Sequence, residues 1–258
     1  MITANDINLK PWIGYTKPNP RASLRLFCFP YSGGSASAFR SWEHSLPPDI
    51  EIVPIQLPGR ENRMREKPFM HLTPLIQTLL DVLPPLLDKP FVLFGHSLGA
   101  LICFELARQL QKQGGPQPEH LFVSAHRAPQ RPLLQLPLHL QSDTNMLQEL
   151  RNLNGTSEAI LQNKELMDLL MPLFRADFSI YETYTYEHEE PLNCDITAFC
   201  GTRDTRVARE EMVSWRNQTD GHFILHTIPG EHFFIHTAQT QVLQRLSHEV
   251  VQILNRIY

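Results

Sequence analysis

The sequence lacks the features of a membrane protein, a secreted protein or a nucleic-acid binder. No apolar run reaches the ~18 residues that a membrane-spanning helix needs. Residues 1–23 have no basic start followed by an apolar block, so they do not resemble a signal peptide. The formal net charge is -4, whereas nucleic-acid-binding domains are usually basic. We therefore expect a chain that binds neither membrane nor nucleic acid.

Cysteine is scarce, with four among 258 residues, and no two of them form a CxxC pair. Three of the four lie inside apolar segments, where a free cysteine behaves as a small core residue. This pattern favours a reduced protein and a cytoplasmic location. The hydrophobic content of 42% suits a globular chain with a substantial core, and we expect one domain over residues 1–258.

Short apolar runs alternate with longer segments of helical periodicity, which is typical of a mostly parallel sheet with crossover helices. The predicted strands cover residues 24–29, 52–57, 91–94, 121–125, 194–200 and 223–228. Pro54 indicates that the second strand lies at an edge or contains a bulge, because proline cannot donate to a strand ladder. Helices are predicted over 71–87 and 98–112, and at the carboxyl end, where apolar residues share one face. The fold class expected is α/β.

Residues 131–190 interrupt this alternation, because they show helical patterns around 145–153, 157–161 and 165–180 but no convincing strand. We interpret this segment, called the insertion below, as a helical lid over a site at the strand ends. The alternative is a structural excursion that covers a sheet edge.

The segment Gly95-His96-Ser97-Leu98-Gly99 fits the G-x-S-x-G pattern of a nucleophile elbow. A buried strand precedes it and an amphipathic helix follows it, which is the setting that this motif requires. Small residues on both sides of the serine let the neighbouring backbone pass close by. We therefore predict Ser97 as the nucleophile, with a tight turn that merely contains serine as the alternative.

A serine nucleophile needs a base that is held by a third group, and in this fold the order along the chain is serine, acid, histidine. Asp204 follows the strand 194–200, and His232 follows the strand 223–228. Both positions lie just past the carboxyl end of a strand, so we predict that they complete the triad. Four other histidines stand in less suitable places along the chain: His96, His126, His222 and His226.

The anion formed during acyl transfer needs two backbone N–H donors. We assign one to Leu98, directly after the nucleophile, and the other to Tyr31 in the glycine-containing loop after the first strand. A simple glycine-rich turn is the alternative for that loop. His232 and His236 are four residues apart, but no H-E-x-x-H motif or third ligand accompanies them. We expect no metal and no cofactor.

Several of these segments together resemble the stand-alone type II thioesterases of nonribosomal peptide and polyketide pathways. The resemblance covers nearly the whole chain, through PNPRASLRLFCFPYSGGSAS, QLPGRENR, FGHSLGALICFELAR, the insertion segment NGTSEAILQNKELMDLLMPLFRADFSIYETYTY, PLNCDITAFCGTRD and PGEHFFI. The departures are Cys200, where many members carry glycine, and Asn154 before Gly155. Neither touches the predicted chemistry.

The resemblance implies an α/β-hydrolase fold and hydrolysis of acyl groups from the phosphopantetheine arm of acyl or peptidyl carrier proteins. Small acyl thioesters should also be substrates. Phe174, Phe178 and Tyr181 share one helix face and are candidates to line an acyl chamber, although core packing is the alternative. Because carrier proteins are typically acidic, we predict that they dock on a local basic cluster near the rim of the site. Its members are Arg60, Arg63, Arg65 and Lys67.

Two other enzymes would use the same triad, an esterase or lipase and an acyltransferase whose acyl-enzyme is intercepted by an amine or alcohol. A non-catalytic scaffold on a hydrolase fold is the alternative from another class. An intact triad in the right order argues against that last possibility.

Overall fold

The computed structural model describes residues 9–14, 18–133 and 136–257, and six strands in this part form one sheet. The strands are β1 (Leu24–Phe29), β2 (Ile50–Pro54), β3 (Phe91–His96), β4 (His120–Ser124), β5 (Asp195–Gly201) and β6 (Phe223–Ile228). Their order is β2-β1-β3-β4-β5-β6, and every neighbouring pair is parallel. The prediction of an α/β fold with a mostly parallel sheet is confirmed.

Eight α-helices accompany the sheet in the described residues. They are α1 (Leu72–Val82), α2 (Leu98–Lys112), α3 (Asp143–Leu153), α4 (Glu158–Leu161), α5 (Lys164–Glu182), α6 (Arg209–Val213), α7 (Phe234–Thr237) and α8 (Gln239–Ile257). The predicted domain range 1–258 also includes residues 1–8, 15–17, 134–135 and 258, and the insertion range includes 134–135. Those residues lie outside the described part of the chain.

Successive residues of β1 face opposite sides of the sheet, and each side is covered by helices. Phe27 belongs to the core that α1 and α2 bury, whereas Leu26 belongs to the core that α8 buries through residues such as Leu246 and Val250. All four side chains are 0% exposed. Because burying each large apolar side chain contributes about 1.5–3 kcal/mol, these two layers fix the sheet that carries the site. No helix in the described ranges is long and apolar enough to cross a membrane.

The second strand begins and ends earlier than its periodicity indicates. It covers Ile50–Pro54, whereas the sequence predicts 52–57, and it forms one edge of the sheet. Pro54 therefore occupies the edge position that its missing N–H favours. The loop after this strand turns back at Gly59, which has φ 86°.

The insertion contains α3, α4 and α5 and has a small apolar core of its own. Met146, Leu150, Met171 and Phe174 are among the residues buried in that core. Ser142 accepts a hydrogen bond from the Asn145 amide at the start of α3, and Asn163 accepts one from the Leu166 amide at the start of α5. The helical character predicted for this segment is therefore present, and its described residues include no strand of the sheet.

Candidate active site

Ser97 lies in the turn between β3 and α2, where it has φ 53° and ψ -118°. An L residue seldom adopts a positive φ, so the surrounding structure must hold this conformation. The Ser97 amide donates to the carbonyl of Ser124 at 2.7 Å, which ties the turn to the end of β4. A Cβ on Gly95 would lie 2.1 Å from the Gly99 carbonyl oxygen, so only glycine permits this tight passage.

His232 connects the serine to Asp204. Its Nε2 lies 3.1 Å from Ser97 Oγ, and its Nδ1 lies 2.9 Å from Asp204 Oδ2. The other carboxylate oxygen of Asp204 accepts the amides of Arg206 at 2.8 Å and Val207 at 3.2 Å, so the carboxylate cannot swing away. A carboxylate on Nδ1 favours the tautomer with its proton there, which leaves the Nε2 lone pair for the serine hydroxyl. This geometry suits a general base beside a nucleophile.

His96 contacts the backbone of His232, a role that the sequence pattern does not predict. Its Nε2 lies 3.1 Å from the carbonyl oxygen of His232, and its Nδ1 lies 2.9 Å from Ser124 Oγ. Burial, with a contribution from His232 and His236, holds the pKa of His96 well below the usual value, so the ring is neutral. A neutral ring that donates from Nε2 to the His232 carbonyl accepts the Ser124 hydroxyl on Nδ1. The bond to Ser124 orients the His96 ring, and the bond from Nε2 holds the backbone of His232. The signal in the sequence that could have indicated this role is the position of His96 directly before the nucleophile.

The two amides predicted as oxyanion donors lie on neighbouring segments. A Cβ on Gly99 would lie 2.1 Å from the carbonyl oxygen of Phe29 and 2.9 Å from that of Pro30. The absence of a side chain at Gly99 therefore lets the first turn of α2, which begins at Leu98, pack against the backbone directly before Tyr31. The amide end of a helix also carries a partial positive charge that favours an anion.

The side chain of Tyr31 is held by residues of the segment after β6 and by His96 at the end of β3. Its hydroxyl lies 2.7 Å from His236 Nε2, and its ring packs edge-on against Phe233 at 4.8 Å between centroids. Burial lowers the pKa of His236. His236 therefore contacts the hydroxyl of Tyr31, and His232 contacts the hydroxyl of Ser97. The two histidines have separate partners and do not act together as metal ligands. Among the described residues no group of three or more metal-ligating side chains is arranged to hold an ion.

A cavity of about 300 Å³ opens at the triad, and Ser97 and His232 lie in its wall. The insertion supplies most of its apolar lining. The three residues predicted for an acyl chamber all line it: Phe174, Phe178 and Tyr181. Further apolar lining comes from Leu150, Leu153, Ile160 and Leu170. His126 also lies in the wall, and burial lowers its pKa to about 3, so it stays uncharged beside the cavity.

The predicted docking cluster is only partly at the surface. Arg65 and Lys67 are exposed, but Arg60 and Arg63 are only 3% and 6% exposed, which contradicts a docking role for these two arginines. Both are held by partners inside the protein, Arg60 by Asp177 of α5 and Arg63 by Glu66 and by the ring of Trp12 at 4.2 Å. An internally paired cation offers no charge to an approaching partner, so this part of the prediction is wrong.

Comparison with known proteins extends these observations. The family model described as Thioesterase domain matches residues 24–250. The gramicidin S biosynthesis protein GrsT of Aneurinibacillus migulanus is 43% identical over 243 residues, which are 94% of this chain and 95% of that protein. The solved structure of the RedJ thioesterase from the prodiginine pathway of Streptomyces coelicolor has a TM-score of 0.84 and 39% identity, and covers 88% of this chain and 91% of its own. The structure of the type II thioesterase BorB from the borrelidin biosynthetic cluster has a TM-score of 0.84 and 36% identity, and the match covers 92% of this chain and 96% of the BorB chain.

Proposed function

The chain belongs to the thioesterase family, and we propose that it is a type II enzyme that clears acyl groups from carrier proteins of a nonribosomal peptide or polyketide pathway. As a member of this family it is a hydrolase that acts on thioesters. Its named relatives support the narrower proposal, because they include a gramicidin S biosynthesis protein and the thioesterases of the prodiginine and borrelidin pathways. The substrate is an acyl or peptidyl group on phosphopantetheine, and the reaction takes place in the cytoplasm.

The observation that carries the proposal is the unbroken chain of contacts from Ser97 through His232 to Asp204 at the wall of an apolar cavity. Acyl transfer needs a nucleophile, a base and space for the acyl chain at one point. All three requirements converge on the Ser97 hydroxyl. A binding protein on the same fold would have no need for the strained turn at that serine.

In the first half of the proposed reaction, His232 Nε2 takes the Ser97 proton as Oγ attacks the thioester carbonyl carbon. The carbonyl oxygen becomes an anion that the Leu98 and Tyr31 amides stabilise. When the carbon–sulfur bond breaks, the sulfur of the phosphopantetheine arm leaves as a thiol with the proton from His232, so the histidine is neutral again and the acyl group remains on the serine. Asp204 stabilises the histidinium during this step.

In the second half, a water molecule gives a proton to His232 and attacks the acyl-enzyme at the same carbonyl carbon. The bond to Ser97 Oγ then breaks, the serine regains its proton from His232, and the free acid departs. No metal or cofactor takes part in this scheme. The insertion acts as a lid, because its side chains form the cavity in which the acyl chain must lie.

A panel of substrates with one acyl group tests the proposal directly. The same acyl group would be presented on a carrier protein, on coenzyme A and as a simple ester, and kcat/KM would be compared, with mass spectrometry of the product. We expect the carrier-protein thioester to be preferred and the free acid to be the product. A preference for the simple ester would indicate an esterase, and transfer to an added amine or alcohol would indicate an acyltransferase.

The exposed remainder of the basic cluster, Arg65 and Lys67, is proposed to attract acidic carrier proteins. Reversing both charges, Arg65→Glu with Lys67→Glu, should lower kcat/KM for the carrier-protein substrate at low salt and leave a small thioester unaffected. The effect should shrink with added salt, because exposed charges are screened over ~8 Å at physiological ionic strength. Arg245→Glu, on the exposed face of α8, is the control. Equal behaviour of the control and the double variant would place docking elsewhere.

A further inference from the structure

A carboxylate of the insertion reaches into the loop that carries the proposed oxyanion donor. Asp177 lies in α5 and is 1% exposed. Its Oδ2 accepts the backbone amide of Gly33 at 2.7 Å and pairs with the guanidinium of Arg60. Gly33 is two residues from Tyr31, so a side chain of the insertion holds the backbone beside the reacting centre.

The loop turns sharply at this point. The Gly34 amide donates to the Tyr31 carbonyl at 2.8 Å, and Gly33 has φ 75°, as the third residue of a type II turn requires. The Gly33 N–H belongs to the central peptide of the turn, which can rotate to give another turn type. A carboxylate that accepts this N–H opposes the rotation. Phe174 closes the other side, since a Cβ on Gly33 would lie 2.2 Å from its ring.

The same network also grips the far end of the loop. Gln56 Oε1 accepts the Ala36 amide at 2.8 Å, and Gln56 Nε2 donates to the Arg60 carbonyl at 3.2 Å. Arg60 thus connects the two anchors, one at Gly33 through Asp177 and one at Ala36 through Gln56. Buried ion pairs seldom add net stability, because desolvation offsets their attraction. Their geometric effect on the loop is therefore the more informative property here.

We propose that Asp177 is a positioning residue that orients the Tyr31 amide for the oxyanion by accepting the Gly33 N–H. The inference rests on the proposed function, because it presumes that Tyr31 supplies an oxyanion donor. It makes the insertion part of the catalytic apparatus, beyond covering the acyl chain. The element that shapes the cavity also sets the backbone that stabilises the transition state.

Removal of the ion pair as a whole isolates the effect of the acceptor. In an Arg60→Met background, Asp177→Asn keeps an acceptor for the Gly33 amide, whereas Asp177→Leu, of similar size, does not. Loss of one oxyanion donor costs about 10²–10³ in kcat, and a misoriented donor should cost part of that. We expect Arg60→Met/Asp177→Leu to show a kcat about 10–100-fold below that of Arg60→Met/Asp177→Asn, with KM changed less than about threefold.

A second measurement separates positioning from simple loss of folding. A trifluoromethyl ketone adds to the serine and places an anion in the oxyanion hole, so its affinity should fall by the same factor as kcat/KM. A non-hydrolysable thioether analogue of the substrate should bind both double variants equally. The control removes another ion pair of α5, with Arg175→Met and Asp143→Leu, whose carboxylate is exposed. This control should retain wild-type kcat.

Equal kcat and equal ketone affinity for the two double variants would overturn the proposal. If neither double variant folds, single Asp177→Asn replaces them: it retains an acceptor, so kcat of the folded fraction should stay within about threefold of wild type. A much larger loss would mean that the charge, and not the acceptor, is what matters. If the proposed function were wrong, the wild-type protein itself would not hydrolyse the thioester. That result differs from failure of the Asp177 proposal, in which the wild type is active and the two double variants are equal.

Discussion

The strained backbone conformation of Ser97 depends on two neighbouring glycines. A positive φ costs a residue with a Cβ roughly 1–2 kcal/mol, and the Ser97 turn keeps it because Gly95 and Gly99 let the backbone pass within contact distance. In this conformation the hydroxyl lies 3.1 Å from His232 Nε2. A catalytic conformation is thus maintained by neighbours that contribute no chemistry of their own.

Two substitutions of Ser97 should separate chemistry from strain. Ser97→Ala removes the nucleophile and should lower kcat by on the order of 10³-fold or more, with the fold intact. Ser97→Gly should be equally inactive, but its free energy of unfolding should exceed that of Ser97→Ala by about 1 kcal/mol, because glycine accepts φ 53° freely. Denaturant titrations of both variants provide the measurement. Residual activity near a tenth of wild type in either variant would mean that another nucleophile operates.

The two nearby histidines should differ sharply in their effect on turnover. His232→Ala should be nearly as damaging as loss of the serine, and Asp204→Asn should cost up to about 10⁴ in kcat, because the imidazole loses its orienting acceptor. His236→Phe should cost far less, since the His236 ring contacts the Tyr31 hydroxyl and not the serine. Steady-state kinetics on a small thioester checks all three. If Asp204→Asn matched wild type, another carboxylate would have to orient the base.

At the scale of helices and strands, local periodicity predicts the regular elements well. The bounds predicted for β1, α2 and β6 agree with the structure, because apolar runs there coincide with full burial or with a glycine stop. The second strand is displaced toward Ile50, since Ile55 forms an isolated bridge with Ile13 and the Gln56 amide donates to the Trp12 carbonyl. The burial of Arg60 was not predictable from its neighbours. Its partner Asp177 lies 117 residues further along the chain, and the tertiary fold alone brings the two together.

The triad illustrates the same contrast between local and distant information. The order serine, acid, histidine and the strand ends before each residue suffice to select Ser97, Asp204 and His232, which the structure brings within hydrogen-bond distance. The contact of His96 with the His232 backbone was not predicted from the sequence, because the partners of His96 lie at the end of β4 and in the loop after β6. Such contacts between separate elements leave no periodic pattern in the sequence.

The helix α5 should determine which acyl chains are accepted. Phe178 is 3% exposed and lines the cavity, so Phe178→Ala should enlarge the space next to the triad. We expect relative kcat/KM to shift toward longer or bulkier acyl groups, with a smaller change for acetyl. A series of acyl thioesters of increasing length measures this. Leu169→Ala, on the exposed face of the same helix, is the control. Proportional losses at every chain length would indicate a purely structural role.

At the scale of the whole molecule, three buried histidines sit along one strand and its neighbours. His96 ends β3 and contacts Ser124 of β4, His120 begins β4, and His126 follows it. Burial keeps the pKa of His96 well below its usual value and lowers the pKa of His120 to about 4 and that of His126 to about 3. These three imidazoles are therefore uncharged in the folded protein.

These histidines should make the whole fold sensitive to mild acid. Their folded pKa values lie below the unfolded value of ~6.5, so the unfolded state binds more protons below that pH and stability falls. His120 and His126 should each cost about 2 kcal/mol of unfolding free energy between about pH 7.5 and pH 5, a range in which most carboxylates remain ionised, and His96 should add a loss of the same sign. Denaturant titrations at both pH values measure the loss.

His120→Gln keeps a donor for Thr197 Oγ1, which lies 2.8 Å from His120 Nε2, and should reduce the loss by the contribution of one histidine. The control His248→Gln changes a histidine that is exposed on α8 and should behave as wild type. An undiminished loss in His120→Gln would mean that His120 is not a source of the acid sensitivity.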